Sequence, residues 1–402
     1  MARSATAASR RQPARGDPRA RRPGRSRRRR RLGWRARFVG RVALGLVAAL
    51  MLVTGWSVGH ALAVPGGGTF AERVAEWARG HDLGSLVTFG EWLSYNPPKT
   101  GGRPSVSFRK LGGTAVRRRH YDGLAPVIPA NLGSPAGEPL PGEGVWKVAV
   151  SVKGVPAVLK TYVRESRVYS SYYAGIVSMD QRLLRFGLRP GSEDPGPGNW
   201  GTPMDIPLGQ RTGLVATFNS GFRIASAGGG YYLNGHHDGT LVKGAASEVY
   251  YRDGRLRIGS WGYGGLRMGP QVAAVRQNLR LIVINGKIPP TVDQNVLSSW
   301  GATLGGGYYV WRSGIGVTGD GRIIYVYGPA LDVRTLASLL QRAGAVTAME
   351  LDINPDWMSF MYYLPKGHPA DPTPVSLLPG QLQPADRYYS VSNRDFTAVF
   401  AR

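Results

Sequence analysis

Val42 to Gly59 is an 18-residue run without a charged side chain, VALGLVAALMLVTGWSVG, and counting on past His60 to Val64 gives 23 residues. At a rise of about 1.5 Å per residue such a run crosses the ~30 Å hydrocarbon core of a bilayer. Inside hydrocarbon every backbone polar group must be satisfied within the segment, so the run is constrained to a helix. Residues 1–41 before it hold 16 arginines and one aspartate, a local charge of +15. The positive-inside rule then places the N-terminus in the cytoplasm and the rest of the chain outside the cell membrane. We expect a disordered Arg-rich cytoplasmic tail at 1–41 and a single-pass transmembrane signal anchor at 42–64. Ala61-Leu62-Ala63 has the small-x-small form of a cleavage site, but the apolar run exceeds the 7–15 residues usual for a cleaved signal, which favours an uncleaved anchor.

Removing the tail lowers the formal charge from +26 to +11 for the remaining residues. The tail suits anionic lipid head groups. No folded nucleic-acid module accompanies it, so a nucleic-acid partner is not expected. The chain has no cysteine, which excludes disulfides, thiol nucleophiles, Cys–zinc sites and iron–sulfur clusters.

Beyond the anchor, residues 65–98 read as juxtamembrane amphipathic helices. Val74, Trp77 and Ala78 share one helical face, Gly80 and Gly84 interrupt the pattern, and Asn96-Pro97-Pro98 ends it. Residues 99–143 are rich in Gly, Pro, Arg and Ser, with RRRH at 117–120. They read as an extended linker across the envelope or over the surface of the domain. Residues 144–402 form the folded domain. It opens on a hairpin around a Lys-Gly turn and a third strand at 173–179, followed by a loop-like stretch at 186–212. Further strands end at Asn219 and flank Asp253-Gly254 and Asn285-Gly286. Residues 311–360 carry a strand, an Asp320-Gly321 turn, a strand, a helix with Val333, Leu336, Ala337 and Leu340 on one face, and a last strand leading to Asp352. The expected class is α+β: a mixed, largely antiparallel sheet with packed helices and a βαβ-like C-terminal unit, preceded by one transmembrane helix.

Several residues invite a chemical reading. Asp352 stands at a strand's carboxyl end, where open α/β sheets place ligands. Arg312 is an arginine in an apolar strand. Asn219-Ser220-Gly221 ends a strand with small polar residues, a way of presenting a side chain and free N–H groups. Arg276-Gln277-Asn278 is a polar interruption between two apolar runs. His236 and His237 are adjacent and point to opposite faces of a strand, so they do not suit one metal ion. No metal or other cofactor is called for. Trp300, Trp311 and Trp357 are candidates for stacking on sugar rings.

Five stretches in order resemble the phosphodiester glycosidase family: FNSGF at 218–222, YRDGRLRIG at 251–259, LRLIVINGK at 279–287, RSGIGVTGDGRIIYVYG at 312–328 and LASLLQRAGAVTAMELD at 336–352. The resemblance runs from about Val145 to Arg402. It implies a hydrolase of a glycosyl phosphodiester, a sugar-1-phosphate linkage, in cell-wall or exopolysaccharide material. The substrate would be a sugar-phosphate polymer or glycoconjugate. A phosphate monoester is a good leaving group, so the site needs cations for phosphate and a carboxylate for the developing oxocarbenium ion or for water, more than a strong general acid. On this reading Asp352 is the carboxylate, Arg312 the phosphate clamp with Arg276 second, and Asn219 a donor to a sugar hydroxyl or N-acetyl group. Gly221, Gln277, Asn278, Asn354 and Asp356 complete the substrate contacts. One departure stands out. Where the family places glycines after the aspartate, this chain has Ile353-Asn354-Pro355-Asp356, and side chains there alter how closely backbone can approach a ligand. That turn raises the alternative of a non-catalytic cell-envelope protein that binds glycan or polyanion.

Overall fold

The computed structural model describes residues 26–63, 70–87, 90, 96–115, 124–294, 300 and 309–402. The basic cluster at 117–120 and the first 25 residues lie outside them. The chain divides into two units, Met1–His60 and Ala61–Arg402. A helix runs from Ser26 to Ala63, so it starts within the Arg-rich segment that the sequence suggests is disordered to residue 41. Arginine and alanine are good helix formers and let the apolar helix propagate backwards. Within it, Arg37–Ala63 is long and apolar enough to cross a membrane, with a mean hydropathy of 2.0. A second helix, Phe70–Gly80, ends at the first of the two expected glycine interruptions.

The folded domain is built from hairpins, and all its described strand pairs are antiparallel. Lys153 and Gly154 turn the first hairpin with φ of 51° and 79°. Positive φ at both turn positions matches the right-handed twist of the flanking strands. Eight strands form the largest sheet, in the order Thr114–Ala115, Lys147–Val152, Val155–Arg164, Tyr173–Met179, Ile323–Leu331, Val310–Thr318, Ala345–Glu350 and Leu281–Val283. A five-stranded sheet holds Leu256–Ser260, Ala246–Tyr251, Val272–Gln277, Tyr231–Leu233 and His236–Asp238. Another holds Thr373–Ser376, Phe360–Leu364, Leu214–Asn219, Phe396–Ala401 and Leu184–Arg189. The last of these strands occupies the start of the stretch that reads as loop-like at 186–212. Its arginines and glycine mask an apolar alternation, Leu184, Phe186 and Leu188, that is buried.

The strand–helix–strand unit is a split crossover. Ile323–Leu331 and Ala345–Glu350 run parallel because each pairs antiparallel with Val310–Thr318, which lies between them. The helix Val333–Arg342 is capped by Asp332, whose carboxylate accepts the Thr335 N–H at 2.6 Å. Its buried Leu336 and Leu340 pack on Gly314, where an added Cβ would lie 3.0 Å from Leu340 Cδ1 and 3.0 Å from the Met349 carbonyl. The opposite face of the sheet meets the second five-stranded sheet through Phe218, Tyr325 and Phe360, with ring centroids 5.1–5.9 Å apart. Alternate residues of Val310–Thr318 therefore look into two different cores.

The described residues at 99–115 and 124–143 lie over the domain rather than away from it. Phe108 is buried in the main core, and Lys147 Nζ donates to the carbonyls of Phe108, Arg109 and Leu111. Glu143 is buried against Arg164 at 3.0 Å.

Candidate functional site

The carboxyl ends of Leu214–Asn219, Val272–Gln277 and Ala345–Glu350 meet the start of Phe396–Ala401. Three aspartates and two arginines converge there. Asp352 is 3% exposed; its Oδ1 accepts the N–H groups of Ile353 at 2.7 Å and Asn354 at 2.8 Å, and its Oδ2 lies 3.5 Å from Arg394 Nη2. Arg394 also donates to the Gly221 carbonyl at 3.2 Å, lies 3.5 Å from Asp194 Oδ2, and stacks 5.3 Å from the Trp357 ring. Asp194 caps the short helix Ile224–Ala227, accepting the Ile224 N–H at 3.2 Å. Fully buried Arg276 grips Asp395 at 2.7 Å and donates to the carbonyls of Gln277 and Phe222. Burial works against the Arg276 cation, but Asp395 and Asp194 outweigh it and hold its pKa above the ordinary value. Burial pushes the Asp395 carboxyl up, and Arg276 pulls against it.

A row across the first five-stranded sheet extends this cluster. Glu248, Arg276, Tyr231 and Asp238 are directly opposite one another on successive strands, so their side chains share a face. Burial pushes Glu248 up to about 8 against the pull of Arg276. Burial also raises Asp238, with Asp194 adding to it. Glu248 Oε2, Tyr231 OH, Ser220 Oγ and Asn393 Oδ1 are buried without a hydrogen-bond partner among the described residues. Orphaned polar atoms of this kind cost about 1–3 kcal/mol each.

The structure redistributes the residues singled out from the sequence. Asp352, Arg276 and Gly221 come together, through Arg394 and Asp194. Arg312 does not join them. It faces the helix side of the sheet, in an ion pair with buried Glu350, and donates to the carbonyls of Leu331 at 3.0 Å and Trp300 at 3.4 Å. Gripping a phosphate would require breaking that buried pair. Ser313, one residue on, points the opposite way and meets Asn219.

Asn219 is likewise a strut and not a free donor. Its Nδ2 donates to the Ser220 carbonyl at 2.7 Å and Ser313 Oγ at 3.0 Å, while Oδ1 accepts from Tyr325 OH at 2.6 Å and the Ser359 N–H at 3.2 Å. Those contacts use all four hydrogen-bonding positions of an amide. Ser313 Oγ in turn accepts the Asp352 N–H at 3.1 Å, so Asn219 fixes the backbone that carries Asp352. Gln277 is used up structurally too, bonding Gly230, Val242 and Ser247. Asn278 accepts the Phe222 N–H at 3.3 Å and donates to the carbonyls of Glu350 and Leu351 at 2.8 Å, tying two strand ends together. Gly221 packs against it so closely that a Cβ would come within 2.8 Å of Asn278 Cγ.

The turn after Asp352 is closed by side chains instead of glycines. Asp352 bonds the two following N–H groups, and Asn354 Oδ1 accepts the Asp356 N–H at 2.9 Å. The Asp356 carbonyl is held by Gln383 at 2.8 Å and Arg387 at 3.0 Å. Trp357 is buried beneath Arg387 and Arg394, with the two guanidiniums 5.1 and 5.3 Å from its ring, and Trp300 is also buried. Trp311 is half-buried, 6.2 Å from the Tyr327 ring. Among the described residues no group of three His, Asp or Glu side chains is arranged to hold a metal.

Asp194, Arg394 and Asp395 were missed by sequence reasoning. Ser392-Asn393-Arg394-Asp395 directly precedes the apolar closing strand, and a charged pair at that junction was the available signal.

Among solved structures, the chain is similar to the zebrafish N-acetylglucosamine-1-phosphodiester alpha-N-acetylglucosaminidase catalytic domain auto-inhibited by its pro-peptide, at 14% identity, 64% of this chain, 87% of that chain and a TM-score of 0.37. A hypothetical protein from Synechocystis aligns at 13% identity over 64% of this chain and 65% of its own, with a TM-score of 0.36. An exported-protein structure from Burkholderia pseudomallei aligns at 11% identity over 57% of this chain and 74% of its own, with a TM-score of 0.31. No curated protein matches the chain. All five motifs quoted above fall inside residues 212–352, and those residues match the family model of the phosphodiester glycosidases, the family that the sequence resembles.

Proposed function

We propose that the chain is a membrane-anchored, extracytoplasmic hydrolase that cleaves a sugar-1-phosphate linkage in cell-wall or exopolysaccharide material. The observation that carries the reading is Asp352 beside Arg394 at the end of the stretch that matches a glycosidase family. Asp352 is the carboxylate: base, nucleophile or electrostatic partner of the oxocarbenium ion. Arg394 takes the phosphate-clamping role that Arg312 cannot. Its planar fork suits two phosphate oxygens, and a phosphate there would exchange one anion, Asp352, for another. Arg276 and Asp395 hold the loop at Phe222 and act as positioning residues.

The test is turnover by the full chain in detergent on α-N-acetylglucosaminyl phosphodiesters and on phosphate-bearing cell-wall polymers. Asp352→Asn and Arg394→Gln are each expected to lower turnover by about 10²-fold or more while the fold stays intact. Polymer binding without turnover, unaffected by Asp352→Asn, would instead establish the non-catalytic envelope protein that the Ile353–Asp356 turn raised as the alternative.

A further inference from the structure

A groove lies between the edge strand Leu184–Arg189 and the hairpin turn at Asp253-Gly254. Its volume is about 780 Å³. A lobe of about 310 Å³ adjoins it, sharing Phe186, Arg189, Gln210 and Phe400 in its lining. Four arginines face the main groove: Arg185, Arg189, Arg252 and Arg402. Their anchors are neutral. Arg189 Nη2 donates to Gln210 Oε1 at 2.9 Å, and Arg252 Nε to the Pro270 carbonyl at 2.9 Å. Arg402 donates to the carbonyls of Gln181, Leu184 and Asp253 at 2.8–2.9 Å. Arg185 lies over the Phe400 ring at 5.6 Å. Among the described residues none of the four forms a salt bridge. The carboxylate in the lining, Asp253, is paired with Arg255 at 2.6 Å. The groove therefore presents guanidiniums that are oriented by the protein and held in no ion pair, with the Asp205 carboxylate near Arg189 and that of Asp253 near Arg402.

This place is separate from the Asp352 cluster. Asp395 precedes the strand Phe396–Ala401, whereas Phe400 and Arg402 stand at its other end. Six residues of extended chain span about 20 Å. One phosphodiester cannot occupy both places.

We propose that the groove binds a segment of a chain carrying repeated phosphate groups, independently of catalysis. Four cations spread around a cavity too large for one phosphate match spaced charges on one strand. Recession between two sheets suits a chain rather than a flat bilayer. At Gly187 and Gly209 an added Cβ would meet nothing within 4 Å, so the wall is open there, and Arg185, Arg252 and Arg402 are exposed while Arg189 is buried at the groove's floor. A phosphodiester-linked glycan and inorganic polyphosphate share this chemistry.

The readout must separate the groove from the arginines of the N-terminal tail, so we choose amide hydrogen exchange of the 184–189 strand in the full chain in detergent. The probes are a glycerol-phosphate oligomer, a linear polyphosphate of defined length and inorganic phosphate. Protection of 184–189 is expected with at least one of the two oligomers, identifying the source, and not with inorganic phosphate at equal phosphate concentration. Arg185→Gln with Arg252→Gln, and separately Thr212→Glu, should each raise the concentration for half-protection at least tenfold. Asp352→Asn should leave it unchanged. Protection confined to the tail, equal protection by inorganic phosphate, or no shift in a folded Thr212→Glu protein would overturn the proposal. The Thr212→Glu result decides alone if the double variant unfolds.

Discussion

Asn219 and Arg312 show how a residue's neighbours, and not its type, fix its role. Both are polar side chains on apolar strands, and both look like ligand contacts in one dimension. In the fold Asn219 joins Tyr325, Ser313 and Ser359, and Arg312 balances Glu350. Removing one member of a buried pair leaves an uncompensated charge. Arg312→Met is therefore expected to destabilise the protein by about 3–5 kcal/mol, whereas Arg312→Met with Glu350→Leu should recover most of that loss in a chemical denaturation cycle. A double variant no more stable than the single one would show that the carbonyl contacts of Arg312 dominate. Glu248 gives a pH prediction. Burial raises its folded-state pKa to about 8 from 4.5, while Arg276 and Asp395 face it with opposed effects and Tyr250 donates to it. The folded state thus holds a proton that the unfolded state releases. Its stabilising contribution is full below about pH 4.5 and is lost as pH rises through 8. Denaturation midpoints should fall from pH 5 to pH 9, and Glu248→Gln should flatten that fall. An equal slope in the variant would assign the dependence to the other carboxyls that burial raises, Glu165, Glu350 and Asp395 among them.

At the scale of elements, the hairpins were legible because their determinants are local. Lys153-Gly154, Asp253-Gly254, Asn285-Gly286 and Asp320-Gly321 each sit between two runs of strand character, and each turns a hairpin or a tight reversal. The helix Val333–Arg342 was legible for the same reason, by its apolar spacing and by Gly344 at φ 96° past its end. The strand Leu184–Arg189 was not, because its exposed positions are arginine and glycine and its partner lies some two hundred residues away. The turn after Asp352 is an intermediate case. Its departure from glycine was visible, but the pair of side-chain-to-backbone bonds that replaces glycine was not. Asn354→Ala removes the bond to the Asp356 N–H and should cost about 1 kcal/mol in stability. It should reduce turnover by more than that loss of stability explains, since the turn carries Asp352. Wild-type turnover in a folded Asn354→Ala protein would separate the turn from the chemistry.

For the whole molecule, the charge asymmetry about the apolar helix leads to a topological prediction. Protease added to intact cells should digest the domain that follows Ala63 and spare the Arg-rich segment before Val42. Digestion of the tail with protection of the domain would reverse the assignment. The sequence alone determined the apolar span, the class of the fold, the hairpin turns and the placing of Asp352 after a strand, because propensity, turn chemistry and periodicity act over a few residues. Which charges stand together was decided only by the tertiary structure. Arg276 finds Asp395 across 119 residues, and Arg312 is turned to the helix side while its neighbour Ser313 faces Asn219. Pairing and desolvation energies depend on distance and burial, and those quantities exist only once three sheets have packed around one another.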